Sequence, residues 1–115
     1  MALTGLLIGG ALGTLARYLV AQASPYPLGT VIVNVIGCFL LALISGNKAV
    51  PPGAQLALGT GFLGAFTTFS TFMLESHLLG QQGAQLKTLG YLAANLGVGY
   101  VALLLGRAVA GHFSN

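Results

Sequence analysis

Four apolar runs separated by short polar stretches organise this chain. The first covers about residues 3–20 and ends near Arg17 and Tyr18. Ser24, Pro25, Tyr26 and Pro27 follow as a turn signal, since proline fixes φ and removes an amide donor. A second run spans about 28–46, and Asn47, Lys48, Pro51, Pro52 and Gly53 make the next loop. The third run covers about 54–79 and the fourth about 87–110, with Gly80, Gln81, Gln82 and Gly83 between them. Each is long enough to be a membrane span, because about 20 helical residues cross a hydrocarbon core of about 30 Å. The pattern predicts an all-α integral membrane four-helix bundle, one domain over 1–115, with no soluble domain attached.

Within the runs, small and polar residues fall on helical stripes. Gly5, Gly9, Gly13 and Arg17 recur every four residues, the small-xxx-small spacing that lets helix backbones approach closely in lipid. Thr30, Asn34, Gly37, Cys38, Leu41 and Ser45 share one face of the second span. Tyr91, Asn95, Gly99, Ala102 and Gly106 share one face of the fourth. Both faces are expected to meet protein rather than lipid. Close packing accounts for the glycines, but not for two asparagines at mid-membrane depth.

Composition sharpens the membrane reading. The chain is 56% hydrophobic and 4% charged, whereas soluble domains carry about 25% charged residues. Arg17, Lys48, Glu75, Lys87 and Arg107 cannot cover a soluble surface. A net charge of +3 carried by scattered cations does not point to nucleic acid. Ala21, Gln22 and Ala23 look like a signal-peptidase site, but no Lys or Arg precedes the first run, so a first span is the better reading. Cys38 has no partner for a disulfide or a metal site and reads as a packing residue. His77 and His112 read as interfacial residues near span ends. There is no acid pair, no activated nucleophile and no metal-ligand spacing, so no enzyme is expected.

Orientation in the membrane follows the Lys/Arg bias between its two sides. With four spans, Lys48 and Arg107 fall on the side of the termini, and Arg17 and Lys87 on the other. The bias is zero, and insertion in both orientations is expected.

The most informative stretch runs from Gly64 to Glu75. Thr67, Thr68, Ser70, Thr71 and Glu75 lie here among Phe66, Phe69 and Phe72, inside an apolar run. Hydroxyl side chains compete for backbone hydrogen bonds and weaken a helix locally. Backbone that leaves helix within a membrane must be buried in protein or line a polar cavity. Phe69 and Phe72 are three apart and lie close together, and a phenyl ring presents a positive edge to an anion. The hydroxyls are rotatable donors suited to replacing a water shell. The amide of Asn34 can serve an ion or an interhelical hydrogen bond, and Asn95 offers a weaker version of the same choice. Glu75, the only acid, is a candidate for function by its depth or for a helix-end hydrogen bond.

Three motifs carry a resemblance: Gly13 to Tyr18, Gly29 to Gly37, and Gly61 to Phe72 with Glu75 following. In order and spacing they closely resemble the small bacterial fluoride channels of the CrcB or Fluc family. That resemblance implies an antiparallel, dual-topology homodimer with a broken third helix and two fluoride pores, in the bacterial inner membrane. It implies passive fluoride export that reduces fluoride toxicity. By the same resemblance Phe69 and Phe72 are the pore phenylalanines and Asn34 the pore asparagine. Thr68, Ser70, Thr71 and Tyr91 add polar positions along the pore. Backbone carbonyls of Gly64 and Thr67 would hold a structural Na⁺ at the dimer axis. Arg17, Glu75 and Asn95 are left as gating or structural residues, and the family pattern often has serine where this chain has Asn95 and Gly99. The rival expectation is a proton-coupled small dual-topology exporter, and such coupling needs an acid near the midplane of an early span.

Overall fold

The computed structural model describes residues 1–114. Its four spans are the helices Ala2–Ala23, Leu28–Ser45, Pro52–Gln81 and Gln85–Phe113, each long and apolar enough to cross a membrane. No strand occurs among the described residues. The predicted spans are met within a few residues at every end, because the polar and proline-rich stretches are where helix geometry fails. The chain is thus a multi-pass helical membrane protein.

Two spans depart from regular α-helix. The third opens as Pro52–Ala54, continues as a π-helical stretch over Gln55–Leu63, and resumes as α-helix at Gly64–Phe66. It then breaks. Thr67 (φ −86°, ψ 159°) and Thr68 (φ −149°, ψ 123°) are extended, and helix restarts at Phe69–Gln81. The fourth span carries a shorter π-helical stretch, Ala94–Val98, between Gln85–Ala93 and Gly99–Ser114. Wide π turns leave an amide bonded five residues back, as Gly64 N to Gly59 O and Gly99 N to Ala94 O show.

Glycines set the packing. A Cβ on Gly9 or Gly13 would collide with the backbone carbonyl of Ala57 or Phe62, so the glycine face of the first span lies directly on the π-helical part of the third. Gly61 returns the contact, since its Cβ would lie 2.8 Å from the Leu6 carbonyl oxygen. Gly106 has no room because of the Phe39 carbonyl of the second span, and Gly37 none because of the Thr67 methyl. Lipid supplies no hydrophobic drive for helices to meet, so backbone-to-backbone fit of this kind takes its place.

The fourth-span stripe is buried at all five positions, Tyr91, Asn95, Gly99, Ala102 and Gly106. The second-span stripe is buried at Thr30 and Gly37, but Leu41 and Ser45 at its far end are exposed. Leu3, Leu7, Leu12, Leu15 and Leu19 of the first span also point outward. In hydrocarbon such surface is ordinary. The molecule measures 47 × 30 × 19 Å. With helices about 10–12 Å across, the 19 Å axis is only about two helices thick.

Candidate functional site at the helix break

The break is held open by side chains from two other spans. Two extended residues cannot close the i→i+4 ladder, and the orphaned backbone groups need partners in a medium without water. Asn34 supplies them to Thr68. Its Oδ1 accepts from Thr68 N at 2.8 Å, and its Nδ2 donates to Thr68 O at 3.1 Å. The amide thus takes the place of a neighbouring strand. Arg17 treats Ala65 similarly, donating from Nε to the Ala65 carbonyl at 2.9 Å. Thr68 is also the N-cap of the next helix, its Oγ1 accepting from Thr71 N at 3.2 Å. The Thr67 hydroxyl turns back to the Leu63 carbonyl at 3.0 Å.

Other carbonyls at the break stay open. Thr68 N, which would have closed on Gly64 O in a continuous helix, goes to Asn34. Thr71 N, which would have closed on Thr67 O, goes to Thr68 Oγ1. Among the described residues no protein donor meets the carbonyl oxygens of Gly64, Phe66 or Thr67. Gly64 is exposed. It lines a groove of about 500 Å³ between the first and third spans, with Leu6, Gly10, Thr14 and Thr60.

A second cavity, of about 240 Å³, lies on the other side of the break. Asn34, Thr67, Thr68, Phe69, Phe72 and Asn95 line it, with Gly37, Cys38, Leu41 and Leu96. The two phenyl rings meet edge to face, 6.1 Å apart and inclined by 71°. They are not equivalent. Phe72 is 2% exposed and packs against Tyr91 and Leu79, while Phe69 is 71% exposed. An amide relay crosses the cavity wall. Asn34 Nδ2 also donates to Asn95 Oδ1 at 2.8 Å, and Asn95 Nδ2 donates to the Tyr91 carbonyl at 3.1 Å.

Ser70, Thr71 and Tyr91 do not line this cavity. Ser70 is exposed and Thr71 half-buried, and among the described residues neither hydroxyl has a partner. Tyr91 packs against Phe72, with ring centres 5.6 Å apart and planes inclined by 52°. Its hydroxyl donates to Glu75 Oε1 at 2.5 Å, and the Thr30 hydroxyl donates to the same oxygen at 2.5 Å. Glu75 is therefore a node joining three spans. Thr30 is the site neighbour that sequence reasoning left as mere stripe. Its spacing put it on the face of Asn34, and only the tertiary structure brings it to the carboxylate. Cys38, read as packing, also borders the cavity.

Comparisons with known proteins agree with this layout. The family model described as "CrcB-like protein, Camphor Resistance (CrcB)" matches residues 4–107. A Geobacillus kaustophilus protein named fluoride-specific ion channel FluC 1 is 52% identical over 92 residues, 76% of this chain and 78% of its own. The Ignicoccus hospitalis fluoride-specific ion channel FluC is 41% identical over 116 residues, covering 95% of this chain and 94% of that one. A Mycobacterium tuberculosis protein, fluoride-specific ion channel FluC 2, is 38% identical over 92% of this chain and 88% of its own. The matched residues hold the second and third spans whole, the break included, and most of the first and fourth, and this chain belongs to the CrcB family.

Proposed function

We propose that this protein is a fluoride-selective channel that lets fluoride leave the cell passively across the inner membrane. The observation that carries the reading is the cavity at the break: hydroxyls and two phenyl rings of the third span gathered with amides of the second and fourth, among otherwise apolar helices. Its relatives are named as fluoride channels and not as enzymes. An ion leaving water faces a desolvation cost of tens of kcal/mol, which donors along the path must offset. Thr68 Oγ1 accepts from Thr71 N, so its hydroxyl proton is free for the cavity. Phenyl edges of Phe69 and Phe72 offer weak positive charge to a small, poorly polarisable anion. Ser70 and Thr71 carry hydroxyls onward on the same helix, and Tyr91 with Glu75 forms the next polar group. Fluoride expelled this way reduces its intracellular toxicity.

A slab two helices thick does not enclose a pore. The polar cavity beside the exposed Phe69 needs a cover that lipid cannot give. A second copy of the chain inserted antiparallel supplies it, and the balanced cations allow both orientations. The open carbonyls of the break fit a structural Na⁺, because unpaired carbonyl oxygens in a dry interior are hard-cation ligands. Gly64 and Thr67 would hold it, doubled by symmetry, and the ion would supply the positive charge that their oxygens lack. Arg17 and Asn34 keep their neighbours, Ala65 and Thr68, out of that set. A proton-coupled exporter is the weaker reading, because Glu75 lies in the third span, bonded to Thr30 and Tyr91.

Two measurements test these readings. Liposomes bearing the purified protein are expected to release fluoride, read by a fluoride electrode, without any proton gradient and without releasing chloride. Protein prepared throughout without Na⁺ is expected to lose that flux. Vesicles that retain fluoride, or that need a pH gradient to lose it, would overturn the channel. Separately, a tag on one terminus is expected to be reachable from both faces of the native membrane, and strictly one-sided access would rule out dual topology.

A further inference from the structure

We infer that Gly37 is a positioning residue for the cation site at the break: its missing side chain is a socket for the methyl group of Thr67, and that seat aims the Thr67 carbonyl. The inference rests on the Na⁺ reading above. Gly37 is buried in the second span, three residues beyond Asn34 and on the same face. A Cβ placed on it would overlap the Thr67 Cγ2, and would stand 3.6 Å from the Thr67 Cβ and 3.7 Å from the Phe66 Cδ2. The Thr67 methyl thus occupies the space that any other residue at position 37 would fill with its own side chain.

Thr67 is held on three sides, and what is left over is the direction of its carbonyl. Its amide and its hydroxyl both donate to the Leu63 carbonyl, at 3.1 and 3.0 Å. With the hydroxyl held there, the methyl on the same Cβ has its direction fixed, because a β-branched side chain is stiff at χ1. Gly37 receives it. Beyond the Cα, the Thr67–Thr68 peptide is trans and planar, so Thr67 C=O and Thr68 N–H point opposite ways. Thr68 N donates to Asn34 of the second span. The Thr67 oxygen is therefore turned away from that amide, and among the described residues no donor meets it.

A bound cation tolerates little movement of its ligands, whose distances stay within about 0.2 Å of their preferred values. An alanine at position 37 forces such movement. Turning χ1 of Thr67 would take its hydroxyl off the Leu63 carbonyl, and keeping χ1 would push the Thr67 backbone away from the second span. The second course displaces the carbonyl directly, and the first loosens the residue that bears it. Groups that orient a ligand without touching the metal matter in metal sites generally, and losing one typically weakens binding about ten- to a hundredfold. Gly37 acts in that way through the absence of a side chain.

Two complementary substitutions, read by Na⁺-dependent melting, test this. A cation bound only by the folded protein raises the melting temperature as its concentration rises. Protein purified without Na⁺ is titrated in detergent with sodium chloride, while choline chloride keeps the total salt constant. Gly37→Ala is expected to need roughly ten- to a hundredfold more Na⁺ than wild type for the same rise. Thr67→Ser removes the methyl and keeps the hydroxyl, so Gly37→Ala placed in that background fills the vacated space. The double variant is expected to fold and to regain most of the lost affinity. Should Gly37→Ala alone not fold, Thr67→Ser, with its socket empty, is expected to need more Na⁺ than the double variant, with its socket filled. A folded Gly37→Ala that melts earlier but keeps the wild-type Na⁺ requirement would overturn the inference, because Gly37 would then serve packing alone. So would equal Na⁺ requirements in Thr67→Ser and the double variant. Wild-type melting indifferent to Na⁺ would overturn the cation reading itself, and this inference with it.

Discussion

Asn34→Ala is expected to cost both fold and flux. The side chain satisfies the backbone N–H and the backbone C=O of Thr68, and alanine leaves both without a partner in a span. An unmet buried polar group costs about 1–3 kcal/mol, so two cost roughly 2–6 kcal/mol in the same reckoning. The third span then has a choice between carrying that cost and closing into continuous helix. Closure would return Thr68 N to the Gly64 carbonyl and abolish the open carbonyls on which the Na⁺ reading depends. Thermal unfolding of the purified protein in detergent should show an earlier transition, and fluoride efflux should fall at least tenfold, the rate equivalent of about 1.4 kcal/mol. Asn34→Asp is the discriminating control. It keeps the acceptor for Thr68 N but sets a second oxygen against Thr68 O and Asn95 Oδ1, so it should not rescue. Unchanged melting and flux in Asn34→Ala would show that the break holds itself open.

Phe69→Ile and Phe72→Ile are expected to separate flux from stability. Both substitutions keep apolar bulk and remove the positive ring edge. Phe69 is 71% exposed in the single chain and supports little of its packing. Its loss should leave monodispersity and melting close to wild type, while fluoride efflux falls roughly ten- to a hundredfold, as for one lost charge-assisted contact at the barrier. Phe72 is 2% exposed and lies against Tyr91, with ring centres 5.6 Å apart. Its replacement should lower flux and also loosen the cluster with Leu79 and Tyr91, by about 1–3 kcal/mol for an ill-fitting core side chain. Efflux from liposomes and melting in detergent on the same preparations give the two readouts. Wild-type flux in both variants would mean that the ion does not pass the rings.

Much of this architecture is legible in the sequence, for reasons that are local. Span length, loop position and the glycine faces depend on hydropathy and on spacing at 3.6 residues per turn. Gly9 and Gly13 were read as a close-packing face, and their missing Cβ atoms are indeed where carbonyls of the third span lie. The fourth-span stripe from Tyr91 to Gly106 is buried along its length. The second-span stripe was only partly so, since Leu41 and Ser45 are exposed. Helical periodicity tells which residues share a face, and says nothing of what covers that face at each depth.

At the break, local and long-range causes divide. The run of hydroxyl residues after Gly64 marks by itself where helix is weak, since Thr and Ser compete for backbone partners wherever they stand. Sequence also decides that Thr68, three residues before Thr71, is able to cap the helix that follows. Only the tertiary structure decides which backbone groups at the break are met and which stay open. Arg17 reaches Ala65 across 48 residues, and Asn34 reaches Thr68 across 34. Phe69 and Phe72 look alike in the sequence, yet one is buried and one is exposed, because Tyr91 of the fourth span covers only the second. Glu75 gained its partners from Thr30 and Tyr91 in the same way. Spans and breaks arise from forces within a few residues of chain. The fate of each hydrogen in the site depends on directional partners from distant segments, and those meet only when the helices pack.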